Sequence, residues 1–132
     1  APLGTSAGIS ATTSSVPLRL DMLPDDRIRL QHMLDATQAA IGFLRARDRH
    51  DLDTDTMLLF ATVRALEVIG EAAGKVSDNT RSAAPQIPWR AMVGMRNRLI
   101  HGYFDIDTEV VWRTVKSELP ELASAIESAL QG

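Results

Sequence analysis

The side chains best suited to chemistry lie close together in one stretch of the chain, Met95 to Phe104. The net charge of the chain is −3, yet the sequence from Asn79 to Phe104 contains no Asp or Glu. The stretch is therefore locally positive, as a site that binds an anion requires. Its reactive or charged side chains are those of Arg96, Asn97, Arg98, His101 and Tyr103, the last being the single tyrosine in the chain.

A histidine and an arginine in one stretch could act together in the cleavage of RNA. A neutral imidazole at His101 can take a proton from a ribose 2′-hydroxyl, and an imidazolium can give one to a leaving oxygen. Arg96 can bind a phosphate through two parallel hydrogen bonds and stabilise developing negative charge. Asn97 could hold the histidine ring or contact the phosphate. Together they favour metal-independent cleavage, in which the 2′-oxygen attacks the adjacent phosphorus.

Helix geometry places a condition on this chemistry. Asn97 and His101 are four residues apart and would lie one above the other on a helix. Arg96 and His101 would point roughly 140° apart, at about 100° per residue. We therefore expect them to converge only if the helix ends near Gly102, or if a second copy supplies one of them across a two-fold axis. A structural role stays open, because a histidine cation near a helix C-terminus is favoured by the helix dipole.

Composition narrows the class of protein. A chain of 132 residues with 45% hydrophobic content predicts one domain with a real core. The absence of cysteine excludes disulfides and thiolate metal sites, and we expect neither a metal nor a cofactor. No apolar run approaches the roughly 20 residues of a membrane span, and the N-terminus does not resemble a signal peptide. We expect a cytoplasmic protein that makes no membrane contact.

Apolar residues recur at helical spacing, which predicts an all-α, antiparallel bundle of four to five helices. Residues 1–22 are rich in Ser, Thr, Ala, Gly and Pro and are expected to be a flexible tail before a helical domain at 23–132. Ser77 to Pro88 is interpreted as a loop. Helices are predicted from Pro24, over residues 56–76, from Pro88 to His101 or Tyr103, from the cap at residues 105–108, and from Pro120 after a kink or short break.

Three glycines have predicted structural roles. Gly70 and Gly74 lower helix propensity, which indicates that another helix approaches closely there. Gly102 could be the C-terminal cap of the motif helix and would place Tyr103 just outside it. The long second helix also carries a polar stripe that consists of Arg64, Glu67, Glu71 and Lys75. We interpret it as a solvated stripe with ion pairs within the helix, in preference to a support for the arginine-rich helix.

The run Arg96-Asn97-Arg98-Leu99-Ile100-His101-Gly102-Tyr103 matches the pattern of Arg, four residues, His, one residue and Tyr. By this pattern the chain resembles the HepT-like toxins of the HEPN (higher eukaryotes and prokaryotes nucleotide-binding) superfamily. The resemblance covers about residues 25–130 and excludes the tail. Four further segments are similar to the family, namely Asp26–Ala36, Leu66–Ala73, Ile87–Arg90 and Leu119–Leu122.

The resemblance implies an all-α homodimer whose motif lines a cleft between subunits. It implies a ribonuclease toxin of a type VII-like toxin–antitoxin system, with Arg96 and His101 catalytic and Asn97 the polar residue beside them. The partner it implies is an MntA-type nucleotidyltransferase antitoxin, which transfers AMP groups from ATP onto Tyr103. Arg98 and Arg90 are expected to bind substrate phosphates. RNA cleavage is expected to leave a 2′,3′-cyclic phosphate.

Two other functions stay open. The chain could be a non-catalytic nucleotide-binding or adaptor subunit that serves a nucleotidyltransferase, which predicts complex formation without RNA cleavage. It could also be a purely structural helical dimerisation module, for which Arg96→Ala and His101→Ala would be silent in cells. Arg, Asn and His in an acid-free segment favour the ribonuclease over the dimerisation module.

Overall fold

Two long antiparallel helices form the centre of the fold. The structure, a computed structural model, describes residues 22–102 and 105–132, which are mostly helical with no strand among them. Helix α1 (Pro24–Phe43) packs along helix α3 (Thr56–Gly74), and the C-terminal helix packs against α1. The predicted all-α bundle is confirmed. The tail predicted for residues 1–22 lies outside the described residues except for Met22.

The ends of the two long helices follow local rules. Pro24 opens α1, and acids occupy its first turn, where the helix dipole favours negative charge. A short helix α2 (Asp51–Thr54) lies in the connection. The side chain of Asp55 then accepts a hydrogen bond from the Leu58 N–H and caps α3, as the sequence predicts. Both long helices therefore begin where the sequence places them.

The segment predicted as a loop from Ser77 to Pro88 contains a short helix, α4 (Asp78–Ala83). Ser77 caps it by accepting a hydrogen bond from the Thr80 N–H. Loop and helix cap use the same Ser, Asp and Asn residues, so composition alone does not separate them. What decides for a helix here is a tertiary contact, because the buried carboxylate of Asp26 accepts from both Ser77 and Thr80.

The prediction of one helix from Pro88 to His101 or Tyr103 is wrong. The segment forms two short helices, α5 (Trp89–Val93) and α6 (Met95–Leu99), which meet at Gly94. Ile100 is extended and forms an isolated antiparallel bridge with Ile106. Both isoleucines pack against the core, and this packing turns the chain out of the helix before the histidine.

Gly102 therefore lies in a turn and does not cap the motif helix as predicted. Its φ is +105°, which is a conformation that L side chains rarely adopt. Tyr103 lies outside the described residues.

A widened turn interrupts the C-terminal helical segment. Helix α7 (Thr108–Arg113) leads into a π-helical turn at Thr114–Glu118, and α8 (Leu119–Gln131) follows. Pro120 lies in the first turn of α8, and its ring and missing N–H disfavour a regular α-turn before it. The chain stays helical through Pro120, so the predicted kink or short break is replaced by this widened turn, which begins before the proline.

One apolar core connects these elements. No helix in the described ranges is long and apolar enough to cross a membrane. The largest side chains that are fully buried come from every long helix and from α6, and include Leu30, Met33, Leu66, Ile69, Met95, Leu99, Leu119 and Ile126.

Candidate active site

Helix α6 presents the motif residues to solvent because its other face is anchored. Met95 and Leu99 are four residues apart and have no exposed surface. Arg96 and Asn97 therefore lie on the exposed side of the helix. A second anchor lies just before α6, where a Cβ added to Gly70 would be 2.7 Å from the carbonyl oxygen of Met92.

The predicted role of Gly70 as a point of close approach is thus confirmed. Gly74 has no such role, because a Cβ built there would meet no described atom within 4 Å. Only the first of the two glycines faces α5, since Gly74 is the last, exposed residue of α3.

Arg96 is paired with a glutamate from the central helix. Its Nε lies 3.4 Å from Oε2 of Glu67, and 74% of its side chain stays exposed. Arg64 lies 3.8 Å from the other carboxylate oxygen of Glu67 and 3.0 Å from Glu71. The polar stripe of α3 thus has both of the roles considered, since it forms ion pairs within the helix and also supports Arg96.

His101 faces an aspartate across the Ile100–Ile106 bridge. The backbone N–H of His101 donates to the Asp105 carbonyl at 2.7 Å, and the Asp107 N–H donates to Leu99 at 2.7 Å. Residues 101 and 107 are diagonal neighbours on one face of this bridge. The ring Nε2 of His101 lies 3.1 Å from Oδ2 of Asp107.

Asp107 carries out two tasks with its two oxygens. Its Oδ1 accepts from the Val110 N–H at 3.1 Å and caps α7, while its Oδ2 meets His101. The pKa of Asp107 lies below its ordinary value, first because of the Val110 hydrogen bond and then because of the His101 contact. The carboxylate is therefore ionised at neutral pH.

Arg98 points away from this pair toward the widened turn. Its Nη2 donates to Glu118 Oε2 at 2.7 Å and lies 3.4 Å from Thr114 Oγ1. Its Nη1 is buried with no hydrogen-bond partner among the described residues, and 32% of the side chain is exposed. A cavity of about 340 Å³ adjoins it and is also lined by Arg113. The predicted phosphate-binding role of Arg98 stays a prediction.

The structure does not join all the predicted site residues. Asn97 is not stacked below His101, because the helix ends at Leu99 before the histidine is reached. Within residues 22–102 and 105–132, no hydrogen bond or ion pair links the exposed Arg90 to Arg96, Arg98 or His101. Arg96 contacts Glu67 and His101 contacts Asp107, so the two residues are positioned by separate carboxylates.

Sequence reasoning missed two acidic partners of the site, Asp107 and Glu118, and for the third, Glu67, it favoured ion pairs within α3 over support of the motif helix. The acid-free segment receives Glu67 from α3, Asp107 from the start of α7 and Glu118 from the widened turn. The sequence predicts that Asp107 helps to cap a helix, which is correct for its Oδ1. It does not predict the contact of Oδ2 with His101. Across the described ranges, no group of three or more His, Cys, Asp or Glu is arranged to hold a metal ion.

This arrangement can bind a phosphate and can transfer protons to and from the oxygens around it. The guanidinium of Arg96 approaches Glu67 through Nε, and 74% of the side chain is exposed and accessible to a phosphate. His101 is 54% exposed and has a carboxylate behind one ring nitrogen. An exposed arginine and an oriented imidazole are the groups that acid–base chemistry on a phosphodiester requires.

Comparisons with known proteins point to one family. The family model described as Ribonuclease HepT-like matches residues 33–129. A relative from Thermococcus cleftensis, named "Probable ribonuclease HepT", is 39% identical over 98 residues, which is 74% of this chain and 89% of that protein. A Methanocaldococcus jannaschii protein with the provisional name of an RNase is 36% identical over 103 residues, or 78% and 94% of the two chains. No solved structure gives a significant match.

Proposed function

The chain belongs to the HepT-like ribonuclease family, and on that premise we propose that it is a metal-independent endoribonuclease, the toxin of a type VII-like toxin–antitoxin system. The observation that carries the proposal is the pair of Arg96 and His101. Both are exposed, each is oriented by a carboxylate, and they lie five residues apart in an acid-free segment.

Each residue has a proposed part in the reaction. His101 takes the proton of a ribose 2′-hydroxyl, and the freed oxygen attacks the adjacent phosphorus. Arg96 binds the phosphate and stabilises the charge that develops on it. The imidazolium formed at His101 gives its proton to the leaving 5′-oxygen, and the products are a 2′,3′-cyclic phosphate and a 5′-hydroxyl. Asn97, Arg98 and Arg90 are assigned to contacts with the phosphate and its neighbours.

The test is RNA cleavage by the purified, unmodified chain in the presence of EDTA. His101→Ala is expected to lower the rate by about 10²-fold or more, since it removes the general base. His50→Ala is the matched control, because His50 is also exposed but lies in the α1–α3 connection. Cleavage that survives His101→Ala would sink the assignment. A stable complex with a nucleotidyltransferase and no cleavage by any preparation would favour the adaptor subunit instead.

The proposal includes a homodimer with the motif at a cleft between subunits. A groove of about 420 Å³ between α1 and α3 supports it, with Asp35 on one wall and Arg64 on the other. A two-fold axis can pair each charge with the opposite charge of a second copy. Arg64 also contacts Glu67, which contacts Arg96, so the groove is continuous with the proposed site. The apolar lining comes from Ala36, Ala39, Phe43, Ala61, Ala65 and Val68.

The proposed control of the enzyme is AMP transfer onto Tyr103 by an MntA-type nucleotidyltransferase. Tyr103 follows His101 by two residues in the sequence. A phosphodiester-linked AMP there adds negative charge and bulk two residues from His101 in the sequence and would compete with the phosphate of RNA.

Intact mass measures this modification directly. The chain made together with the nucleotidyltransferase is expected to gain mass in multiples of an AMP unit, and Tyr103→Phe is expected to abolish the gain. An unchanged mass in the wild-type chain under those conditions would remove the regulatory part of the proposal and leave the ribonuclease part standing.

A further inference from the structure

The chemistry of the two groups determines which one donates the hydrogen bond between His101 and Asp107. An ionised carboxylate only accepts hydrogen bonds, so at 3.1 Å the proton must come from the imidazole Nε2. Asp107 is ionised because the Val110 N–H and the imidazole both lower its pKa. In the neutral ring one nitrogen carries the proton and the other accepts, so a proton on Nε2 leaves Nδ1 as the acceptor.

We propose that Asp107 is a positioning residue that holds His101 in the Nε2–H tautomer, so that Nδ1 is the nitrogen that takes the proton from RNA. This inference rests on the proposed ribonuclease function for its catalytic part only. It also decides between the two roles that the sequence leaves open for Asn97, to hold the histidine ring or to contact the phosphate, against the first of them. Asn97 lies on α6, whereas the ring is held from the start of α7.

The backbone around the pair prevents the carboxylate from turning away. Ile100 and Ile106 form the bridge and pack on the core, which directs residues 101 and 107 to the opposite, solvent-facing side. Asp107 is fixed independently of the histidine, since its Oδ1 caps α7 and its own N–H bonds to Leu99. The orienting carboxylate is therefore in place before any substrate arrives.

Asp107→Asn tests the inference because asparagine is an equally good helix cap. With the Asn oxygen retained at the cap, its NH₂ group replaces Oδ2 and donates toward Nε2. His101 must then carry its proton on Nδ1, which reverses the tautomer while the fold is kept. Nitrogen-15 chemical shifts of the imidazole, measured by NMR at a pH where the ring is neutral, report the tautomer directly.

The wild-type chain is expected to show a protonated Nε2, and Asp107→Asn a protonated Nδ1. The kcat for RNA cleavage is expected to fall by about 10²- to 10⁴-fold with little change in KM, as reversal of a catalytic histidine's tautomer does elsewhere. Asp107→Ser is the matched control, since it caps the helix but is too short to reach the ring. It is expected to give a mixture of tautomers and a smaller loss of kcat.

The outcomes separate the inference from the proposed function. A wild-type ring with its neutral-form proton on Nδ1 would overturn the inference whether or not the protein cleaves RNA. Equal tautomers and equal kcat in the wild type and Asp107→Asn, with the thermal midpoint unchanged, would overturn it as well. The expected tautomers together with no RNA cleavage would support the positioning role and reject the ribonuclease.

Discussion

Three basic side chains of the proposed site, those of Arg96, Arg98 and His101, each contact an acid from another part of the chain. Glu67 meets Arg96, Asp107 meets His101 and Glu118 meets Arg98. Ion pairs at exposed positions contribute only about 0–1 kcal/mol to stability, so their main effect here is orientation. An arginine held this weakly can exchange its carboxylate for a phosphate at little cost. The pairs therefore keep the groups in place without blocking RNA.

Asp26 is a buried carboxylate whose ionisation contributes to stability. Its buried carboxylate accepts from the Ser77 N–H at 3.0 Å, from Ser77 Oγ at 2.5 Å and from Thr80 Oγ1 at 2.6 Å. Burial alone would raise the pKa of Asp26, but these hydrogen bonds outweigh burial and the pKa lies below its ordinary value. Because the folded pKa is depressed, the stability it contributes is present above the unfolded pKa and is lost as the pH falls through the folded pKa.

Asp26→Asn is therefore expected to cost about 1.5–3 kcal/mol at pH 7, the range for hydrogen bonds to a charged group. The difference from the wild type should narrow below about pH 4, where the unfolded carboxyl group takes up its proton. Urea unfolding at pH 7 and pH 3 measures both values, with the exposed neighbour Asp25→Asn as control. An identical loss at both pH values would show that charge is not the cause.

For single residues, the sequence predicts well which side chains are reactive and predicts poorly which acidic side chains contact them. Arg96 and His101 stand out by chemistry and spacing, and both are exposed in the structure. Glu67 is 29 residues from Arg96, so their contact depends on how α5 and α6 cross α3. Asp107 is near His101 in sequence, but the bridge that brings them together runs against the helical pattern expected there.

Among the elements, the crossing of α3 by the α5–α6 segment decides where the motif lies. A Cβ at Gly70 would be 2.7 Å from the backbone carbonyl of Met92, and backbone cannot rotate aside as a side chain can. Gly70→Ala is expected to destabilise by about 1–3 kcal/mol, although alanine itself favours a helix by about 1 kcal/mol. Displacement of α6 should also lower RNA cleavage.

Gly74→Ala supplies the comparison, since the added methyl group meets no described atom within 4 Å. It is expected to be neutral or slightly stabilising and to leave RNA cleavage unchanged. Chemical unfolding and cleavage assays on the two variants check both statements. If Gly70→Ala were as stable and active as Gly74→Ala, the close crossing would not position the motif.

Helix prediction succeeds where a long periodic segment meets an ordinary cap. The polar and proline signals at the starts of α1 and α3 are local, and the structure follows them. The motif segment departs from prediction because Gly94 weakens the helix and because Ile100 gains more from pairing with Ile106 on the core than from another helical turn. Such competition between local and tertiary preference is invisible in a helical wheel.

At the scale of the whole molecule, the proposed homodimer through the α1–α3 groove can be tested by placing a charge in that groove. Ala61 lies exposed on the α1–α3 groove, so Ala61→Glu leaves the protomer core untouched. It is expected to convert a dimer into a monomer, because the new carboxylate must be buried in the proposed interface. RNA cleavage should fall with it if the cleft is shared.

Light scattering at micromolar concentration gives the oligomeric state. Ser124→Glu adds the same charge to an exposed position on α8 and is expected to leave the dimer intact. A wild-type chain that is monomeric, or an Ala61→Glu variant that stays dimeric, would contradict this use of the groove. Loss of binding to the nucleotidyltransferase alone would assign the groove to that partner.

The widened turn at Thr114–Glu118 has a further consequence, for the phase of the C-terminal helix. One additional residue per turn rotates everything downstream by about 100° relative to a regular α-helix. With it, Val111 and Val115 before the proline and Ile126 after it all face the core. The same turn sends Glu118 toward Arg98 and Lys116 toward the Leu44 carbonyl at the end of α1. The extra residue in this turn therefore sets the direction in which the side chains of α8 point, in addition to the choice of residue types.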